Sequence, residues 1–312
     1  MELSNSLKQR FIKDWKLPFQ VVQEPFFSYA IETLDSHFNT VEKLKMLTDI
    51  IETLGTEEDF FSESNRVKTT LIDAIQAKPS YTELQADRLE TYETKPNVSQ
   101  KDIYNMENAN KTFISLDLVK ANFNVMRGYN SELTLGYETY EEMVSSVTGF
   151  DYFKKSKYLR QVIFGNMLPK KQQKLQKFVM SKVISMLHED VGIAMEDFVS
   201  ASADEVVFAV DPTNVDKFVG MVSKKLAESA LTSAYSKWVR VEAFTLKSIG
   251  NKKFFVKENC LSDDVDFKGI PSFLFMQVFR KYTETPETKL DRTFYHEGFM
   301  ASFDVGVFDE NL

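Results

Sequence analysis

Cysteine is nearly absent from this chain. Cys260 is the only one in 312 residues, so no intrachain disulfide can form, and the usage fits a reducing cytoplasm, the host cytoplasm if the source is viral. Histidine is scarce as well: His37, His188 and His296 stand far apart and, with no second cysteine, offer no zinc-binding spacing. Any metal must then be held by oxygen. Long apolar runs are missing too. Nothing reaches the roughly 18 apolar residues of a membrane span, and no basic stretch near the start leads into a signal-like segment, so neither secretion nor a membrane partner is expected. What remains is a 43% hydrophobic chain with only 11 glycines, long enough to bury a full core and to hold two or three compact units.

One further absence is local. From Tyr152 to His188 there is no acidic residue, while Lys154, Lys155, Lys157, Arg160, Lys170, Lys171, Lys174, Lys177 and Lys182 supply nine positive charges in a chain whose net charge is −8. Solvated helices in an acidic protein ordinarily interleave both signs, as the N-terminal segments here do. A positive block on an acidic background is the footprint expected for phosphate; a basic surface with no ligand is the alternative.

Carboxylates occur where they are costly. In Ser200-Ala201-Ser202-Ala203-Asp204-Glu205-Val206-Val207-Phe208 two acids sit between β-prone runs, at or beside a tight turn. Asp117 lies inside Phe113-Ile114-Ser115-Leu116-Asp117-Leu118, flanked by residues suited to burial. A carboxylate on a core strand must be paired, hydrogen-bonded or bound to a cation. Neighbouring strands carrying these acids would make an oxygen-rich pocket suited to Mg²⁺ (or Mn²⁺).

The order of elements makes them neighbours. Residues 1–110 read as a helical N-terminal domain: an irregular aromatic arm to residue 26, one or two helices from Phe27 to Leu54, a helix from Val67 to Ala77, another from Tyr81 to Tyr92, and a Pro-containing connector over 91–97. It offers a lid or a surface for a protein partner. Residues 111–260 read as strand 112–118, a helical stretch including helices 154–164 and 170–189, strands 196–202 and 205–210, a helix from Asp211 to Ser229, then strands 238–247 and 252–257. Residues 261–312 form a helical or irregular extension with an acidic tail from Phe303. The fold class is α+β, and β-α-β-β-α-β is the order of a ferredoxin-like sheet, in which the first and third strands pair. Asp117 then meets Asp204 and Glu205.

A sheet of this order with these acids resembles the palm domain of nucleic-acid polymerases and nucleotidyltransferases. Ser202-Ala203-Asp204-Glu205 is similar to the acidic hairpin of tRNA-His guanylyltransferases and diguanylate cyclases, and Ile114 to Phe123 occupies the place of their first metal-binding strand. Lys157-Tyr158-Leu159-Arg160-Gln161-Val162-Ile163-Phe164-Gly165 is similar to the motif B helix of family B DNA polymerases. Lys252 to Lys257 and Phe267-Lys268-Gly269-Ile270-Pro271 resemble their later lysine-bearing segments. The pattern departs in having adjacent carboxylates, Gln161 for Asn and Phe164 for Tyr, and the chain is too short for a full replicative enzyme.

The resemblance implies catalytic Asp117, Asp204 and Glu205, with metal held by these three and the Leu118 carbonyl. Lys157 and Arg160, one helical turn apart, would grip a nucleoside triphosphate. Asn122 and Phe123 would lie under its sugar or base, with core packing the other reading for Phe123. Lys170, Lys171, Lys174, Lys253 and Lys268 would meet a DNA or RNA end. The implied activity is nucleotidyl transfer from an NTP or dNTP to that end by a metal-dependent transferase or compact polymerase. A cyclic or linear oligonucleotide synthase on the same site, and a non-catalytic palm of phage or mobile-element type that binds nucleic acid or a partner, are the other two.

Overall fold

Ser4 accepts the Leu7 N–H at 3.2 Å and opens α1 (Asn5–Trp15), whose Leu7 and Phe11 are fully buried. The first half of the aromatic arm expected here is therefore a capped helix, and residues 16–25 stay irregular; the four-residue spacing of Leu3, Leu7 and Phe11 around a Ser cap is the cause of the helix. This computed structural model describes residues 2–96, 98–228 and 236–309. Asn97 of the connector, Ser229 and the last three residues of the acidic tail lie outside the described residues.

Helices α2 (Phe26–Phe38) and α3 (Thr40–Leu54) are parted at Asn39, which adopts the left-handed conformation at φ 49°. Thr56 caps α4 (Glu57–Gln76), which begins ten residues before the helix expected from Val67, and Pro79 opens α5 (Pro79–Ala86). After β1 (Thr112–Leu118) come α6 (Ala121–Tyr129), α7 (Tyr140–Ser145), α8 (Asp151–Lys155), α9 (Lys157–Gly165) and α10 (Pro169–Met186). The helix expected over 154–164 is thus broken at Ser156, whose hydroxyl accepts from Leu159 N–H and caps α9. Then follow β2 (Phe198–Ala201), β3 (Glu205–Val210), α11 (Val215–Glu228), β4 (Val239–Ser248), β5 (Phe255–Asn259), β6 (Val265–Lys268), α12 (Phe275–Tyr282), β7 (Thr293–His296) and β8 (Phe299–Ser302).

The chain is mixed α+β. Six strands form an antiparallel sheet in the order β2-β3-β1-β4-β5-β6, and β7 pairs with β8 apart from it. Helical and irregular structure alone was expected beyond residue 260, but β6 extends the sheet and β7–β8 form a hairpin.

Alternation along β1 separates two faces. Ile114, Leu116 and Leu118, with Val206 and Phe208 of β3, pack into the main core under the helical layer. That core runs from Leu3 to Phe279, joining the N-terminal helices to the sheet. On the other face Phe113, Val207, Phe244, Leu246 and Phe255 form a small cluster roofed by Ile103 and Tyr104. The segment before β1 is pinned there by Ser200, whose hydroxyl accepts from Lys101 N–H at 3.0 Å and donates to the Lys101 carbonyl at 2.7 Å. Among the described residues no helix is long and apolar enough to cross a membrane.

Candidate nucleotide and metal site

Ser202 builds the acidic turn. Its hydroxyl accepts from the Asp204 and Glu205 N–H groups and donates to the Asp204 carboxylate at 2.9 Å, while its own N–H reaches the Glu205 carbonyl at 2.7 Å. The Leu118 N–H donates to the Asp204 carbonyl at 2.8 Å, fastening the turn to the end of β1. In this register Asp117 stands directly opposite Glu205 on one side and Arg240 of β4 on the other. Residues opposite each other in an antiparallel pair share a face, so Asp117, Glu205, Arg240 and, two pairs further on, Glu242 project from the face that bears Phe113 and Val207.

Asp204, one residue before Glu205, is committed to Ser202, so the carboxylate facing Asp117 squarely is Glu205. Adjacent strand residues diverge, and the tight turn settles which of the two acids turns inward.

Charges on this face are partly balanced. Arg240 Nη2 lies 3.5 Å from Asp117 Oδ2, and Arg240 Nε lies 3.1 Å from Glu242 Oε1. Lys257 of β5, nearly buried, sets its ammonium 3.6 Å from Glu205 and 4.1 Å from the Phe244 ring centroid. Burial raises the Asp117 carboxyl from 3.8 to about 6; Arg240 opposes the rise, and the charges of Glu205, Asp204 and Glu242 add to it. Burial, more than the neighbouring acids, therefore keeps this carboxyl high, and Arg240 is the strongest charge working against it.

Ser115, two residues back on the same face of β1 and opposite Glu242, is fully buried with no hydrogen-bond partner for its hydroxyl. Tyr104 covers the same face; burial first, then Glu205 and Asp266, push its phenol far up, so it stays a neutral donor. A 340 Å³ cavity beside Glu205 runs along Gln100 to Tyr104, Ser200, Ser202 and Val207.

The acidic face suits a hard divalent cation in its donors but not in its preformed geometry. Donor chemistry agrees: the convergent groups are oxygens, mutually repelling, with an unsatisfied hydroxyl beneath. Preformed geometry does not, for among the described residues no three acidic, His or Cys side chains are grouped closely enough to hold an ion as they stand. An incoming cation would take the place Arg240 now holds on Asp117.

Positive charge flanks the acids on the side of α9. Desolvation, then the like charges of Lys16 and Arg160, lower the Lys157 ammonium; Asp266 opposes this and Arg240 adds to it. Lys43 is lowered for the same reasons, by desolvation and then by Lys157. Arg160 lies 5.7 Å from the Tyr140 ring centroid, and among the described residues neither it nor Lys157 has an ion pair.

The other sequence-derived residues scatter. Asn122 accepts from Gln176 at 2.6 Å, and Phe123 is buried between Tyr140 and Phe164 with ring centroids 6.2 Å and 5.8 Å away. Lys171 donates to the Asp87 carbonyl and Lys174 to that of Arg88 at 3.4 Å, so both tie α10 to the segment after α5. Lys268 pairs with Asp266 at 2.7 Å, and Lys170 and Lys253 are exposed. Leu118 contributes a buried side chain and its N–H bond to Asp204.

Sequence reasoning missed Arg240 and Glu242, and marked Lys257 only as the end of a lysine-bearing segment. The alternation in Val239-Arg240-Val241-Glu242-Ala243 was the available signal: charge on every second residue of a strand marks a polar stripe. Compared with known proteins, the chain matches no protein-family model, no curated protein and no solved structure.

Proposed function

We propose that this chain is a metal-dependent nucleotidyltransferase whose sheet serves as a ferredoxin-like palm, joining a nucleotide from a triphosphate to a DNA or RNA end. The observation that carries the reading is the pairing of Asp117 with Glu205 across β1 and β3, beside Asp204 and next to the α9 cations. The strand order β2-β3-β1-β4, with helices over one face and the acids on the other, supports it, since a split βαβ sheet has this arrangement.

Asp117 and Glu205, with Asp204 at the turn, are the residues that would hold Mg²⁺ or Mn²⁺. A metal pair bound there would stabilise the attacking and leaving oxygens of an in-line displacement at phosphorus. The protein's own part is orientation and charge. Lys257 holds Glu205 from below, and Ser202 fixes the turn so that Glu205 faces Asp117. Arg240, released from Asp117, can turn its planar guanidinium to phosphate oxygens bidentately. Lys157 and Arg160 approach from α9, and Lys43 and Lys16 add to the positive field that a triphosphate would neutralise.

The test is incubation with each labelled NTP and dNTP, Mg²⁺ or Mn²⁺, and a panel of primers, comparing the wild type with Asp117→Ala. Metal-dependent incorporation that disappears in the variant is the expected result; incorporation that survives removes the two-metal assignment. Product formed without a primer would make the enzyme an oligonucleotide synthase. One observation favours a non-catalytic reading: Arg240 and Lys257 already sit on the acids as structural ion pairs. That reading requires nucleic-acid binding that persists in Asp117→Asn and Asp204→Asn with no incorporation by the wild type.

A further inference from the structure

A 520 Å³ cleft opens between the C-terminal half of α1, α9 and the β7–β8 hairpin. No carboxylate lines it, although the chain carries a net charge of −8. Lys13 and Lys16 stand on its α1 side, Gln20 and Gln161 at its rim, and Tyr158 and Tyr295 within it, over a floor that includes buried Leu17 and Phe19. Among the described residues the Lys13, Lys16, Gln20 and Gln161 side chains have neither hydrogen bonds nor ion pairs, and Tyr295 is 40% exposed. Positive charge, free amides and aromatic rings in one groove, Tyr295 open and Tyr158 backed by the Arg10 guanidinium 4.7 Å from its centroid, match a polyanion whose units carry flat rings. An amphipathic helix would cover the apolar floor of Ile12, Leu17 and Phe19 but leave Lys13, Lys16 and the free amides unmatched.

The cleft also points somewhere. Lys16 and Tyr158 line it, Lys157 is the residue before Tyr158 on α9, and the Lys157 ammonium feels both Lys16 and Arg240, which lies 3.5 Å from Asp117. Cations thus lead from the cleft to the acids. Two of the three α10 lysines expected to bind nucleic acid do other work, since Lys171 and Lys174 hold the backbone carbonyls of Asp87 and Arg88, and Lys170 is exposed.

We propose that this cleft seats a single strand of nucleic acid, its phosphates on Lys13 and Lys16 and a base against Tyr158 and Tyr295, with the strand's end directed along Lys157 toward Asp117. The direction rests on the transferase reading; the binding does not.

The experiment is fluorescence anisotropy of a labelled single-stranded 12-mer, as DNA and as RNA of the same sequence, titrated with the full chain in EDTA at several salt concentrations. The wild type is expected to bind at least one of the two, with affinity falling steeply as salt rises. Tyr295→Ala should weaken binding roughly tenfold, as loss of one stacked base does. Lys16→Gln should lower the salt slope by about 1. Lys170→Gln and Lys177→Gln, exposed on α10, should change affinity less than about twofold, and thermal melts of all four variants confirm that they fold. Absence of binding by the wild type, binding insensitive to salt, or loss in the α10 variants with none in Tyr295→Ala and Lys16→Gln would each overturn the proposal. EDTA removes any transfer reaction, so binding that persists while Asp117→Ala leaves incorporation unchanged would fault the catalytic reading alone.

Discussion

Asp117 is the residue on which both chemistry and pH dependence converge. Its carboxyl is held at about 6 in the folded chain, against 3.8 ordinarily, by burial first and then by the charges of Glu205, Asp204 and Glu242. The folded state thus binds this proton more tightly than the unfolded state, and through this group stability falls as pH rises from about 4 to about 6. Metal binding needs the ionised form, so affinity moves the opposite way. Calorimetric titration with Mn²⁺ should show affinity rising between pH 5 and pH 7.5, and Mn²⁺ should raise the urea midpoint more at pH 7.5 than at pH 5. A Mn²⁺ affinity that stays flat over this range would detach Asp117 from the metal. Glu205 and Asp204 separate by the same logic. Glu205 faces Asp117 while Asp204 serves the Ser202 turn, so Glu205→Gln should lower incorporation by more than Asp204→Asn, measured as kcat on a primer panel.

Among the elements, α9 bears the proposed phosphate-binding pair, and a buried network sets its position. Asp14 on α1, with its side chain wholly buried, accepts from Arg10 Nε at 3.0 Å, from the Tyr152 hydroxyl at 2.9 Å and from the Ser156 hydroxyl at 2.5 Å. Arg10 continues to Ser64 on α4 at 2.7 Å, so one carboxylate ties α1 and α4 to α8 and the cap of α9. Asp14→Ala would leave the largely buried Arg10 charge without its carboxylate and take the acceptor from the Tyr152 and Ser156 hydroxyls, at a cost of about 3–5 kcal/mol in urea denaturation. It should also raise KM for the triphosphate, because Lys157 follows the Ser156 cap. Little of this network could be read from sequence, since Asp14 and Ser156 are far apart in the chain and each resembles an ordinary surface residue. The elements that were legible have strong local signals. β1, β3 and the acidic turn alternate or break cleanly, and their order led to the Asp117–Glu205 pairing. β6 was missed because Val265-Asp266-Phe267-Lys268 is short and charged, as edge strands are, and so reads as loop. Arg240 was missed, and the pairing of Lys257 with Glu205 was not legible, because both depend on strand register, which tertiary packing fixes.

At the scale of the molecule, the main apolar core decides how the chain unfolds. It runs without a break from Leu3 and Phe11, through Phe60 and Leu71, to Ile114, Phe208 and Phe279, and α9 packs against both α1 and α4. A helical layer separable from the sheet would need a boundary across which few apolar groups meet, and the continuous core supplies none near residue 110. The two tryptophans make this measurable, for Trp15 ends α1 and packs on the Tyr152 ring at 5.8 Å, while Trp238 precedes β4 and its carbonyl accepts from Val119 N–H at 2.8 Å. Each single-tryptophan variant, Trp15→Phe and Trp238→Phe, leaves one reporter, in the sheet and in the helical layer respectively. Urea transitions followed by each remaining fluorophore should coincide, within its own variant, with the transition followed by far-ultraviolet circular dichroism, as one cooperative unit requires. Residues 111–312 expressed alone would expose the faces of α9 and α8 that α1, α3 and α4 now cover, and should give no cooperative transition. Separated midpoints in the intact chain, or a stable sheet fragment, would show instead that the N-terminal helices are a detachable domain able to move relative to the acids.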